Sequence, residues 1–224
     1  MSERLIHILT DSFTKILIPG IKVTFPLTIL SFLLSLVLGL VLALVMIANI
    51  KGLKTFAKLY IWIFRGTPLI VQLFIIFFGL PSIGIVLDAF PAAVIGFGLN
   101  LAAYNAEVFR ASIQAIPKGQ SEAAYLIGLS PIQTMTRVVL PQAFPIAFPS
   151  LFNNLISLLK DTSLAASITV VELFTVTQQI AARTYEPFAL YLEAAFIYLM
   201  FSTLLTYLQN YLERKMVYKR KEVY

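Results

Sequence analysis

Long apolar stretches separated by short polar segments dominate this chain. Five of them run from about Val23 to Ala48, Leu59 to Leu80, Pro91 to Ala111, Ala143 to Ile168 and Phe188 to Leu212. Each is long enough to cross a hydrocarbon core of roughly 30 Å as a helix. Ahead of the first, Leu5, Ile6, Leu9, Phe13, Ile16 and Leu17 recur at helical spacing among polar residues. That spacing predicts a short amphipathic helix lying in the membrane interface. The pattern divides the chain into an N-terminal interfacial segment (1–20), a transmembrane domain (21–212) and a basic tail (213–224). The expected fold is all-α: a polytopic membrane protein of five transmembrane helices. A transmembrane barrel would show short alternating segments instead, and these are absent.

Composition agrees. Hydrophobic residues make up 59% of the 224 and charged residues only 12%, too few to cover a soluble domain of this length. The mean hydropathy is +0.87. The N-terminus does not read as a signal peptide, because Glu3, Asp11 and Lys15 interrupt it. With no cysteine and His7 as the one histidine, disulfides, thiolate or His-cluster metal sites and Ser/His or Cys/His nucleophiles are excluded.

The net charge of +6 is explained by where the basic residues lie, and it requires no nucleic-acid partner. The loops after spans one and three and the C-terminal tail hold eleven of them, from Lys51, Lys54 and Lys58 through Arg110, Lys118 and Arg137 to the group beginning at Arg214. The opposite side holds four: Arg4, Lys15, Lys22 and Arg183. The positive-inside rule then places the N-terminus outside and the C-terminus in the cytoplasm of a cell membrane, with the tail facing anionic lipid.

One cytoplasmic loop is too ordered for a mere connector. Gln120 to Leu129 is compatible with a helix, with Pro117 just before it. Gly128 permits a sharp bend, and Ser130-Pro131 has the form of a capped helix start. Two short helices at an angle are expected, closed by Leu140-Pro141 where the fourth span begins. Ala123 and Ala124 are small enough to let another surface approach.

The spacing in this loop, Glu122-Ala123-Ala124, Gly128 and Leu140-Pro141, resembles that of the binding-protein-dependent ABC importer permeases. Val138 stands where that pattern has isoleucine. Glu193-Ala194-Ala195 repeats the triplet, but Leu199 takes the glycine position and the triplet lies inside span five. Arg65-Gly66-Thr67-Pro68 with Gln72, Pro117-Lys118-Gly119-Gln120 and Lys160-Asp161-Thr162-Ser163-Leu164 are similar to the polar amino-acid branch, and within it to Gram-positive cystine permeases. The resemblance covers roughly residues 20–212. It implies a type I importer permease carrying a polar amino acid, L-cystine first and glutamine, arginine or histidine as alternatives. The loop would be a coupling helix contacting an ATP-binding cassette subunit through Glu122, Ala123, Ala124, Gly128, Leu140 and Pro141. A solute-binding protein would deliver the substrate outside, and a second permease copy, identical rather than different, would complete the machine. ATP and magnesium would be bound by the ATPase, since no phosphate loop occurs in this chain. No cofactor or metal is expected here, and no enzymatic activity.

Polar residues within the spans are the candidates for a substrate path, because burying them in lipid is costly. Asn153, Asn154, Ser157, Lys160 and Asp161 share one broad face of span four, with Thr162 beyond them and Pro145 and Pro149 loosening the helix. Lys160 and Asp161 lie roughly 100° apart and do not pair with each other. They face either a zwitterionic substrate or neighbouring helices. Asn100, Tyr104 and Glu107 form a stripe on span three, facing a cavity or making interhelical hydrogen bonds. Arg65 either lines the path or snorkels to the interface, beside a helix break at Gly66 and Pro68. An ion-coupled secondary amino-acid transporter would use the same charges and remains the alternative class.

Overall fold

The computed structural model describes residues 3–221, of which 217–221 by backbone alone. The last three residues of the basic tail lie outside the described residues. Every regular element among those described is helical. Helix α1 (Glu3–Pro19) passes through one wide π turn at Gly20–Thr24 into α2 (Phe25–Ala48), giving 46 residues of continuous helix. The stripe anticipated over residues 1–20 is therefore an extension of the first span. Its Ile16, Phe13 and Leu17 pack into a core built mainly from α8, α9 and α10, defined below.

Asn49, in the left-handed conformation, ends α2. Span two departs from expectation. Its residues form α3 (Lys51–Gly66), then α4 (Leu69–Phe74), a π turn (Ile75–Gly79) and a 3-10 turn (Leu80–Ile83). The two halves are bent by 107° at Thr67-Pro68. The cause is local: a residue before proline is driven out of the helical region, and Thr67 sits at φ −118, ψ 146.

Helix α5 (Ala89–Gln114) is the central strut, packed along α2. Close approach is set by small residues. Ser31, Ser35, Gly39 and Ala43 recur every fourth position on α2, all buried. A Cβ on Gly39 would lie 2.9 Å from Asn105 Cβ and 3.1 Å from the Ala106 nitrogen.

Beyond α5 come α6 (Lys118–Leu126) and α7 (Pro131–Thr134), then a π turn at Met135–Val139 that leads into α8 (Leu140–Asp161). Span four ends sooner as α-helix than expected, since Thr162–Ile168 is a 3-10 helix. Helix α9 (Leu173–Thr184) follows at a bend of 57°, in a stretch expected to be loop. Helix α10 (Pro187–Lys221) is the last element among the described residues. Among the described residues three helices are long and apolar enough to cross a membrane, and counting each bent pair as one span brings the number up to five.

Candidate functional site

The loop between α5 and α8 has the two-helix form its residues predict. Helix α6 is shorter than Gln120–Leu129 at its C-terminal end and ends in a Schellman motif. The Gly128 N–H donates to Tyr125 O (3.0 Å) and the Leu129 N–H to Ala124 O (3.1 Å). Gly128 sits at φ +83, where a side chain would be strained although the space around it is open. Ser130 then caps α7 through a full capping box with Gln133. The second short helix is not separate: it joins α8 through the π turn, so Leu140-Pro141 is the start of α8 itself.

Ala124 is buried against the protein, while Glu122, Ala123 and Gly128 face outward. Beside them Tyr125, Leu126, Ile127 and Ile132 form an apolar crest, with Leu126 89% exposed. Gln142 Nε2 donates to Val138 O (2.9 Å) and to Gln120 Oε1 (3.4 Å), tying α6 to the base of α8. A rigid, capped element with exposed apolar side chains is suited to docking another protein.

The polar stripe of α5 faces the break between α3 and α4. Asn100 Nδ2 donates to Phe64 O (3.1 Å) and to Gln72 Oε1 (3.0 Å). Gln72 Nε2 donates in turn to Phe64 O and to the Thr67 hydroxyl, satisfying groups that the break exposes. The Arg65 guanidinium lies 5.4 Å from the centre of the Tyr104 ring. Glu107 pairs with Arg110 on its own helix at 2.6 Å.

On α8 the polar face divides. Asn154 Nδ2 donates to Asn105 Oδ1 (2.8 Å), and Asn105 Nδ2 donates to Ser35 Oγ (2.9 Å), so these groups bind α8, α5 and α2 together. Asn153 and Ser157 are exposed. Thr162 is buried, its hydroxyl donating to Leu159 O. Lys160 and Asp161 are exposed, and neither forms an ion pair among the described residues. Lys160 lines a cavity of about 500 Å³ with Ser163, Phe174, Tyr191, Tyr198 and Ser202. An ammonium, the hydroxyl-bearing side chains of Ser163, Tyr191, Tyr198 and Ser202 and the stacked Phe174–Tyr191 rings can hold a small molecule carrying a carboxylate.

Two groups escaped sequence reasoning. Asn105 is fully buried and central, yet it lies off the Asn100–Tyr104–Glu107 stripe. Glu172 is also fully buried. Its carboxylate caps α9 at the Thr175 N–H (2.8 Å) and accepts from Tyr198 Oη (3.1 Å) and Thr24 Oγ1 (3.3 Å). A lone carboxylate in the apolar run Val170–Phe174 was the available signal. The Glu193 triplet serves packing, with Ser12 Oγ donating to its carboxylate at 2.5 Å.

Residues 35–218 match the family model for the binding-protein-dependent transport system inner membrane component. The L-cystine transport system permease protein TcyB of Bacillus subtilis is 48% identical over 207 residues, 92% of this chain and 88% of that protein. The L-cystine transport system permease protein TcyL of the same organism is 41% identical over 193 residues, 83% of this chain and 81% of that protein. Among solved structures, a crystal structure of an amino acid ABC transporter with histidines matches at a TM-score of 0.86 and 34% identity, covering 96% of this chain and all (100%) of that one.

Proposed function

The chain belongs to the binding-protein-dependent transport system inner membrane component family, and on that premise we propose that it imports L-cystine, with the α6–α7 element as the point where force enters. As a permease subunit of an amino-acid ABC importer it is not an enzyme, and it works with a separate ATPase subunit and a solute-binding protein. Its cargo is argued from the L-cystine permeases at 48% and 41% identity. A zwitterion with two amino-acid ends suits a path in which Lys160 meets a carboxylate and Asp161 an ammonium. Asn100, Tyr104 and Arg65, at the α3–α4 break, are the proposed opposite wall. Glu107 stands nearer the cytoplasmic end of the same stripe, and Asn154 and Thr162 position α8 rather than touch substrate. Ser157, exposed on the Lys160 face, is the remaining candidate for contact.

The observation that carries the coupling role is the apolar crest on a capped element joining α5 directly to α8. A push on Tyr125–Ile127 passes the Gly128 turn into α7, which runs unbroken into α8, and reaches α5 through the Pro117 turn. Glu122, Ala123 and Gly128 would meet the ATPase, with Ala124 buried beneath them as the contact that seats α6 on the protein, while Leu140 and Pro141 transmit the movement. Two copies of this chain would supply two such elements to a pair of ATPases, which bind ATP and magnesium. The N-terminus would then lie outside and the coupling end and C-terminal tail in the cytoplasm, with α1 continuing the first span at its outer end.

Reconstitution with the cognate ATPase and receptor tests both parts. ATP-dependent uptake of cystine in preference to glutamine, arginine and histidine is expected. Uptake of arginine or histidine without cystine would reassign the cargo. Glu122→Lys and Gly128→Asp are expected to insert normally and to abolish receptor-stimulated ATP hydrolysis. Uptake at the parent rate in both variants would overturn the coupling role.

A further inference from the structure

Lys54 and Lys58 stand one turn apart on α3, with Trp62 a turn further on. Across an open cleft of about 450 Å³ they face Glu107, Arg110 and Gln114 of α5. The cleft's charges do not balance. Its one carboxylate is committed to Arg110 at 2.6 Å, and Gln114 Oε1 accepts from a second guanidinium nitrogen at 2.9 Å. Lys54 donates to Asn49 Oδ1, a neutral acceptor, at 2.6 Å. Lys58 has no acceptor among the described residues. Two ammonium groups thus share a cleft without a counter-charge, and an anion placed between them would relieve their repulsion.

The surroundings say which kind of anion. Leu59, Trp62 and Ile63 occupy the adjoining flank of α3, and all three are exposed. A helix face in water would not carry three such side chains together. The cleft also lies where apolar sequence gives way to polar: α2 ends at Asn49 beside it, and Gln114 is the last residue of α5. Cations beside a continuous apolar flank, with a tryptophan at the boundary, match an amphiphile with an anionic head and hydrocarbon tails.

We infer that the α3–α5 cleft is a binding site for an anionic phospholipid. The phosphate lies between Lys54 and Lys58, and the acyl chains run along Leu59, Trp62 and Ile63. The inference rests on the reading of the chain as a membrane permease whose coupling end lies at headgroup level. It assigns the cleft a role separate from substrate passage: it holds α3, the half-span before the break, against α5 through a lipid.

Lipid titration of the purified transporter complex, followed by native mass spectrometry, tests this without any transport readout. Phosphatidylglycerol and phosphatidylcholine with identical acyl chains are the probes. The parent complex is expected to retain phosphatidylglycerol in preference. Lys54→Gln with Lys58→Gln is expected to weaken that binding about 25-fold, about fivefold per lysine, leaving phosphatidylcholine unchanged. Lys54→Arg with Lys58→Arg keeps the charges and is expected to bind as the parent does. Glu107→Gln frees Arg110 and is expected to tighten binding. Equal retention of both lipids, an unaffected glutamine variant, or an arginine variant as weak as the glutamine one would each overturn the inference. Displacement of the bound lipid by millimolar inorganic phosphate alone would also overturn it, by making the cleft a free-anion site. Preserved phosphatidylglycerol preference in a complex that moves no amino acid would count against the transport reading only.

Discussion

Single residues show two distinct uses of glycine. Gly39 is required for space, because Asn105 and the Ala106 backbone approach too closely for a Cβ. Gly119, with nothing within 4 Å, is not. Gly39→Ala is expected to lower stability by about 1–3 kcal/mol as α2 is forced off α5, and Gly119→Ala to leave it unchanged or slightly raised. Thermal unfolding of both variants in detergent would decide the matter, and equal midpoints would contradict the packing argument. Gly128 belongs to neither case, since its positive φ and not crowding demands glycine. That conformation, the Ser130 cap and the first-position Pro131 were legible in the sequence because each depends on residues within a turn. Asn105 was not, because its partners Ser35 and Asn154 lie 70 and 49 positions away. Nothing local distinguishes a buried asparagine from a lipid-facing one.

At the scale of elements, apolar runs located helices but not their continuity. Gly66 and Pro68 signalled a break in span two, yet the 107° turn depends on what stabilises it. Gln72 and Asn100 occupy the exposed carbonyl of Phe64 and the Thr67 groups, so the break is a supported corner. Gln72→Leu removes the Gln72 donor while leaving that of Asn100, and is expected to cost about 0.6–2 kcal/mol. Hydrogen exchange of the amides from Phe64 to Gln72 should accelerate, and unchanged exchange would show that proline alone holds the corner. Helix α9 went unseen for a related reason. Its cap is the carboxylate of Glu172, held by Thr24 and Tyr198 from opposite ends of the chain.

At the scale of the whole molecule, the core leaves several apolar faces uncovered among the described residues: the crest on α6–α7, the flank of α3, and the rows of Leu33, Val37 and Val41 on α2 and of Phe196, Leu199 and Leu204 on α10. The crest contributes nothing to the monomer's packing, with Leu126 89% and Ile127 77% exposed. Leu126→Ser with Ile127→Ser is therefore expected to keep the unfolding temperature while reducing ATPase co-purification about tenfold or more. Loss of both together would show a structural role instead. Membrane class, helical fold and the two-helix form of the loop ahead of α8 followed from the sequence alone, because hydropathy is summed over about twenty residues and turn chemistry acts within about four. Tertiary structure alone decided which polar groups in the membrane are occupied. Asn100, Asn154 and Glu107 have partners within the chain, whereas Lys160 and Asp161, which feel each other's charge, and the lysines of the α3 cleft form no ion pair among the described residues. Side chains one turn apart share a helix face, and the small residues Ser31, Ser35, Gly39 and Ala43 even repeat on α2, but which polar group of another helix they bring into hydrogen-bond range is decided only by the packed fold.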